Sequence, residues 1–210
     1  MKVTLRRTLL VCVLALVLAA MWAGTASAAP KNSVDPTTLD PNLPPDAQCK
    51  QSGAQVICRF SFDESWANRS DSLLSCGRAY STGIEHVEVT LWYQDGLLVK
   101  DIFKEEEAGT WSLSPTGEGP TVMFAAHRSF VDRFAVPGDF DSVTTTEHGL
   151  DFRIWQPGYG VMVLSSGNFI FTPGGGFVHH GAGDYTIDEE GNLIVPPEAD
   201  ARMCEALLRS

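Results

Sequence analysis

Apolar and polar residues alternate along much of the chain after residue 48. The clearest example is the segment 86–93, in which valine, leucine and tyrosine alternate with His86, Glu88, Thr90 and Trp92. A period of two places successive side chains on opposite faces, so this segment is predicted to be a half-buried strand.

Turn signals follow this strand and recur along the chain. Gln94-Asp95-Gly96 predicts a hairpin into a strand over 97–103. Evenly spaced turns between short apolar stretches predict an all-β domain, a single antiparallel β-barrel of about eight strands like the calycin and allene-oxide-cyclase barrels. Later strands are predicted at 121–130, 142–146, 150–155, 160–164, 168–172, 177–180 and 185–187.

The end of the chain carries a helical pattern instead. Pro197 can open a short helix, and Met203, Cys204, Leu207 and Leu208 then fall on one face. We expect this helix to pack against the barrel and to be held there by Cys204.

The first residues have the layout of a secretory signal peptide, predicted to span 1–29. Lys2, Arg6 and Arg7 precede an apolar run, and small residues suited to cleavage follow it. A membrane anchor is the alternative, but the run is shorter than the roughly 20 residues of a spanning helix. We therefore expect a secreted, extracellular protein with no membrane span.

Two further segments follow the predicted signal peptide. Residues 30–48 contain five prolines without apolar periodicity, which predicts a disordered lead. Residues 49–210 are expected to form one disulfide-clasped barrel domain, because this length suits a single core.

The charge of the chain narrows the choice of partners. Its formal net charge is −11, and removal of 1–29, which holds three basic and no acidic residues, would make it −14. Such a protein is repelled by phosphate backbones and anionic lipid headgroups. We expect no nucleic-acid partner, while the oligomeric state stays open.

Four cysteines remain after the predicted signal peptide, Cys49, Cys58, Cys76 and Cys204. An even number in an exported chain predicts two disulfides, although four cysteines allow three pairings. We expect Cys58–Cys76 as a local clasp and Cys49–Cys204 between the ends. CxxC spacing is absent, so the cysteines do not indicate a zinc site.

The segment 174–185, GGGFVHHGAGDY, groups two histidines with a tyrosine among glycines. In an extended strand His179 and His180 point to opposite faces, whereas Tyr185 shares the face of His179. A metal site needs ligands on one face, so none is assigned here. His179 beside Tyr185 inside the barrel is retained as a candidate ligand contact.

Familiar catalytic motifs are missing from the sequence. It contains no G-x-S-x-G elbow, no H-E-x-x-H and no Walker loop, so neither a catalytic residue nor a cofactor is assigned. The carboxylate runs Glu105-Glu106-Glu107 and Asp188-Glu189-Glu190 are interpreted as solvated charge.

Large aromatic residues are the remaining signal. The four tryptophans outside the predicted signal peptide and the eleven phenylalanines exceed what closure of a small sheet requires. A barrel of eight strands can just enclose a small ligand. A small apolar or amphipathic ligand is therefore predicted. Alternatives are a solid aromatic core, a barrel enzyme using His179 and Tyr185, or a cell-envelope or host interaction module. The candidate ligand residues are His179, Tyr185, Trp92 and Trp155.

Several stretches resemble a known group of proteins. GTWSLSPTGEG (109–119), AVPGDFDS (135–142), WQPGYGVMVLSSGNFIF (155–171) and RMCEALL (202–208) occur in this order, after VICRF and SCGRAY. In the order of these stretches the chain resembles a group of uncharacterised exported actinobacterial proteins. The resemblance implies a secreted β-barrel-like domain and assigns no residue roles.

Overall fold

A computed structural model describes the protein over residues 32–183, 186–187 and 193–209. Residue contacts divide the chain into two units, Met1–Ser33 and Val34–Ser210, and the fold below is that of the second. The predicted signal peptide lies outside the described residues, as do Tyr185 and the run 188–190. The elements are β1 (Gln48–Ser52), β2 (Gln55–Leu74), β3 (Gly77–Gln94), β4 (Leu97–Ser112), β5 (Thr121–Phe134), β6 (Val143–Gln156), β7 (Gly160–Thr172), β8 (Gly176–Ala182), β9 (Thr186–Ile187), β10 (Leu193–Ile194) and α1 (Pro197–Leu208).

Strands β1 to β8 form one antiparallel sheet in which each strand pairs with the next along the chain, and β9 pairs with β10 separately. Asp95 and Gly96 join β3 to β4 with φ of 52° and 82°, the positive values that a tight hairpin turn requires. The predicted β class, the eight antiparallel strands and this hairpin are confirmed. Over the described residues β1 and β8 do not pair with each other, so the sheet is open there. The predicted calycin-like barrel is not confirmed.

Strands β6 and β7 are longer than the sequence predicted. Each runs continuously through a glycine that lies between two shorter predicted strands, Gly149 in β6 and Gly167 in β7. These two glycines are partners across the strands and have φ of 125° and 142°. They therefore accommodate a local distortion of paired strands instead of ending them.

The two faces of the sheet differ sharply in burial. On β3 every second residue from Ala79 to Tyr93 points to a face that is mostly buried, which we call the inner face. The alternate residues, including Thr82, Ile84 and Glu88, lie on the exposed outer face. This alternation agrees with the strand predicted from the sequence.

One end of the inner face holds an aromatic core covered by α1. The rings of Trp111, Phe124 and Phe152 lie with centroids 5.7–6.0 Å apart, and Trp66 stacks on Phe124 at 6.4 Å. A Cβ on Gly109 would lie 2.6 Å from Cζ of Phe124, so only glycine leaves room for this ring. Part of the aromatic content thus fills the core, which was one of the alternatives.

The C-terminal helix begins at Pro197 as predicted. Met203, Cys204 and Leu207 are buried against the aromatic core, whereas Leu208 is 65 % exposed and does not share that face. The part of the chain that the structure describes contains no helix with the length and apolarity needed to cross a bilayer.

The other end of the inner face is covered by residues 34–47. Leu39, Leu43 and Ala47 are buried against β3 and β4, and the Tyr93 hydroxyl donates to the carbonyl of Pro41 at 3.0 Å. The backbone of Asp40 also bonds to Gly96 and Leu98. The predicted disordered lead therefore differs from the structure over 34–47, because its few leucines find an apolar surface that periodicity does not reveal.

Two disulfides are present, but their pairing differs from the prediction. Cys49 bonds to Cys58, its direct cross-strand partner, and Cys76 bonds to Cys204. The expected pairs Cys58–Cys76 and Cys49–Cys204 are wrong because the β1–β2 register places Cys49 opposite Cys58. The Cys76–Cys204 bond ties α1 to the turn between β2 and β3.

The two disulfides should contribute unequally to stability. Cys76–Cys204 joins residues 128 apart, whereas Cys49–Cys58 joins residues 9 apart. On the chain-entropy argument, replacing Cys76 and Cys204 by alanine should lower the free energy of unfolding by about 2 kcal/mol more than replacing Cys49 and Cys58. Urea denaturation of the two double variants measures this difference. Equal losses would show that loop length does not govern the effect.

Candidate functional site

A network of charged side chains occupies the middle of the inner face, between the two apolar ends. Arg128 on β5 hydrogen-bonds through Nη2 to Glu105, and it approaches Glu107 at 3.4 Å and Asp151 at 3.3 Å. The Arg128 side chain is 23 % exposed, and each of the three carboxylates is less exposed than that. We call these four residues, with Glu85 and Glu147, the Arg128 cluster.

The Arg128 cluster contains five carboxyl groups and one cation. The pKa values of some of these carboxyl groups are raised, and that of Glu105 is lowered. Burial, with the nearby Asp151, raises the pKa of Glu147 to about 8. Burial and a hydrogen bond with Glu105 raise the pKa of Glu85 to about 7. Burial acts to raise the pKa of Glu105 as well, but its hydrogen bonds with Arg128 and Glu85 lower it overall. The cluster therefore retains protons at neutral pH.

The position of Glu105 and Glu107 corrects an expectation from the sequence. The run Glu105-Glu106-Glu107 was interpreted as solvated charge, but only the Glu106 side chain is well exposed, at 66 %. Strand alternation turns Glu105 and Glu107 to the inner face, where their side chains are 13 % exposed. Glu105 and Glu107 are separated from the aromatic residues Phe103 and Trp111 by even numbers of residues, so strand alternation puts all four on one face. This spacing is visible in the sequence and could have revealed the placement.

A groove of about 640 Å³ lies on the outer face across β2 to β5, and we call it the outer groove. Ser65, Ile84 and Ala108 form a row of cross-strand partners along it. Ile84 is 65 % exposed, and its neighbours in the row are small. Part of the groove surface is thus an accessible apolar strip.

A row of alternating acids and histidines borders this strip. Asp63, His86, Glu106 and His127 are successive cross-strand partners on β2 to β5. His86 Nδ1 lies 2.7 Å from Asp63 Oδ1, and His127 Nδ1 lies 3.2 Å from Glu106 Oε1. The hydrogen bond with Asp63 raises the pKa of His86.

Two of the predicted ligand residues lie in the glycine-rich segment. His179 on β8 stacks on Phe169 of β7 with ring centroids 4.3 Å apart and an interplanar angle of 4°. Its neighbour His180 pairs with Asn168 and is exposed. The expected placement of the two histidines on opposite faces is confirmed. Tyr185 lies outside the described residues, so its predicted role beside His179 stays a prediction.

The two predicted tryptophans lie on the outer face. Lys100 Nζ lies 4.4 Å from the ring centroid of Trp92, and the Arg153 guanidinium carbon lies 4.8 Å from that of Trp155. Neither tryptophan shares the inner face with His179. The structure therefore does not bring these three predicted residues together in one cavity.

The residues of the outer groove were not assigned from the sequence. Ile84, Asp63 and Glu106 are separated by long intervals along the chain and meet only through the strand register. The visible signal was a histidine at an outward position of a strand, at His86. Register across four strands could not be read from one sequence.

Comparison of the chain with protein-family models, with curated proteins and with solved structures finds no match. Over the described residues, no group of three or more histidine, cysteine, aspartate or glutamate side chains is arranged to hold a metal ion.

Proposed function

We propose that this protein is a binding protein that holds a small amphipathic molecule with a positive charge in the outer groove. The observation that carries the proposal is the exposed apolar strip at Ile84 beside the row of carboxylates and histidines. The ligand is amphipathic, as expected from the sequence, but it binds on the outer face and carries a positive charge.

The apolar strip supports binding of a hydrocarbon group. Ile84 is 65 % exposed and so leaves apolar surface in contact with water. A hydrocarbon chain that covered this surface would contribute favourable free energy to binding. A groove of about 640 Å³ falls within the size range of small-molecule sites.

The charge of the lining supports a cation. Among the residues that line the outer groove, Asp63 and Glu106 are carboxylates of the outer face, and none is a lysine or an arginine. An ammonium group placed beside Asp63 and Glu106 would gain charge-assisted hydrogen bonds, whereas a carboxylate there would be repelled. The overall charge of −11 adds long-range attraction of the same sign.

Hexylammonium and hexanoate form a matched pair of probes for this proposal. We expect isothermal titration calorimetry to detect hexylammonium binding at pH 8 and no hexanoate binding. Binding should weaken at pH 5, because His86, whose pKa is raised by Asp63, is then protonated and neutralises that carboxylate. Equal binding of both probes would contradict a charge-selective groove.

Variants locate the interaction. The double variant Asp63→Asn with Glu106→Gln should weaken hexylammonium binding about tenfold, since each exposed pair contributes up to about 1 kcal/mol. Glu88→Gln is the control, because Glu88 lies on the outer face of β3 outside the groove, beside Lys104. A loss of the same size in the control would assign the effect to net charge instead of to the groove.

A further inference from the structure

A second concavity, of about 320 Å³, lies next to the outer groove on the same face. Its lining includes Asn68, Tyr80, Thr82, Thr110 and Thr116 and contains no ionisable acid or base apart from the tyrosine. We call it the hydroxyl pocket. Thr82 and Thr110 are cross-strand partners, one step along the strands from the row of Ile84 and Ala108.

An irregularity in β2 shapes one wall of the pocket. The register between β2 and β3 shifts between Trp66 and Arg69, which leaves Ala67 and Asn68 as a bulge. Asn68 has a φ of 52°, and its backbone N–H donates to the Thr82 hydroxyl at 3.0 Å. Bulges of this kind re-aim side chains and are frequent beside binding sites.

The turn after β4 also lines the pocket and is fixed by its own hydrogen bonds. The Ser112 hydroxyl donates to the Ser114 carbonyl at 2.9 Å, and the Ser114 and Thr116 hydroxyls lie 2.8 Å apart. The Gly117 N–H donates to the Ser114 carbonyl at 3.0 Å. The wall is therefore preorganised, which lowers the entropic cost of binding.

Several polar groups of the pocket are available for a ligand. Over the described part of the chain, the hydroxyls of Tyr80 and Thr110 and the amide nitrogen of Asn68 make no hydrogen bond. Hydroxyls both donate and accept, whereas the amide nitrogen donates, so the pocket offers mixed neutral partners. The Tyr80 ring adds an apolar surface with a polar tip.

We infer that the hydroxyl pocket binds a neutral carbohydrate. A sugar ring carries closely spaced hydroxyls that need both donors and acceptors, and its C–H face packs on an aromatic ring. A charged ligand would find no counter-ion among the side chains that line this pocket. The inference rests on the pocket alone and not on the function proposed for the outer groove.

The test uses the full chain with maltose, cellobiose, lactose and chitobiose as probes, at millimolar concentrations. We expect at least one of them to bind, with shifts of the Thr82 and Thr110 amide signals in NMR spectra. Thr110→Val should weaken that binding about tenfold by removing a hydroxyl that is not used elsewhere. Thr90→Val, on the outer face of the same sheet outside the pocket, should leave it unchanged.

The outcomes separate this inference from the function proposed above. The double variant of Asp63 and Glu106 should retain sugar binding, even though it loses hexylammonium. The inference is overturned if none of the four sugars binds, or if Thr110→Val and Thr90→Val change the affinity equally. Either result would leave the hexylammonium experiment unaffected.

Discussion

Replacement of Arg128 by methionine is expected to lower the free energy of unfolding by about 3–5 kcal/mol at pH 8, because it leaves buried carboxylates without their cation. Arg128 contacts Glu105, Glu107 and Asp151, and the side chains of all three carboxylates are less exposed than its own. Methionine keeps much of the side-chain volume, so the loss should report charge more than packing.

The loss of unfolding free energy caused by Arg128→Met should be smaller at pH 5 than at pH 8. Contact with Arg128 lowers the pKa of Glu105, so this carboxylate is still ionised at pH 5 in the native protein. Without the guanidinium its pKa rises, and the carboxyl group can be protonated instead of remaining as an uncompensated charge. Urea denaturation at the two pH values measures the difference.

Arg153→Met is the matched control for this variant. Arg153 is exposed on the outer face, where it lies over Trp155. We expect Arg153→Met to lower the free energy of unfolding by less than about 1 kcal/mol, because exposed charges contribute little, and to do so with little dependence on pH. Equal losses in the two variants would show that the Arg128 cluster has no special role in stability.

Replacement of Glu147 by glutamine is expected to raise the free energy of unfolding at pH 8 by about 3 kcal/mol and to change it little near pH 4.5. Glu147 is buried beside Asp151, and its pKa rises to about 8. Glutamine resembles the protonated carboxyl group in shape and cannot ionise.

The sign follows from proton binding. Between pH 4.5 and about 8 the unfolded chain releases the Glu147 proton, whereas the folded protein keeps it. The stability contributed by this group is therefore complete below pH 4.5 and is lost as the pH rises toward 8. Glu85, with a pKa raised to about 7, acts in the same direction. The native protein should thus be more stable at pH 5 than at pH 8.

Glu106→Gln provides the control for Glu147. Glu106 lies on the same sheet, but its side chain is 66 % exposed and faces outward. We expect a change within about 0.5 kcal/mol at both pH values. If Glu147→Gln were destabilising at pH 8, the carboxylate would have to be ionised and favourably paired, and the account of the Arg128 cluster would be wrong.

Local patterns were sufficient for the strands and for the terminal helix. Alternation marked β3, the dipeptide Asp95-Gly96 marked its hairpin, and Pro197 marked the start of α1. These features depend on a few adjacent residues. Alternation also separated His179 from His180 correctly, because it depends only on the pleat of one strand.

Features that depend on register were beyond the sequence. Gly149 and Gly167 each lie between two shorter predicted strands, whereas in the structure they are partners within two long adjacent strands. Cys49 pairs with Cys58 because β1 folds back on β2 at one specific offset. Residues 34–47 looked disordered because the surface that covers their leucines belongs to distant strands.

The candidate site was missed for the same reason. Asp63, Ile84 and Glu106 belong to three strands, and only the aligned sheet brings them to one groove. The aromatic content predicted an interior site that included Trp92 and Trp155. Both lie instead on the outer face, each beneath a basic side chain. Composition counts aromatic rings without telling which face they occupy.

The most direct test of an outer-face binding site is to map bound hexylammonium on the amide signals of the protein by NMR. The account predicts shifts that centre on Ile84, Ala108 and His127 and grow from pH 5 to pH 8. Shifts confined to Phe169 and His179 on the inner face would contradict it and would return the ligand to the interior.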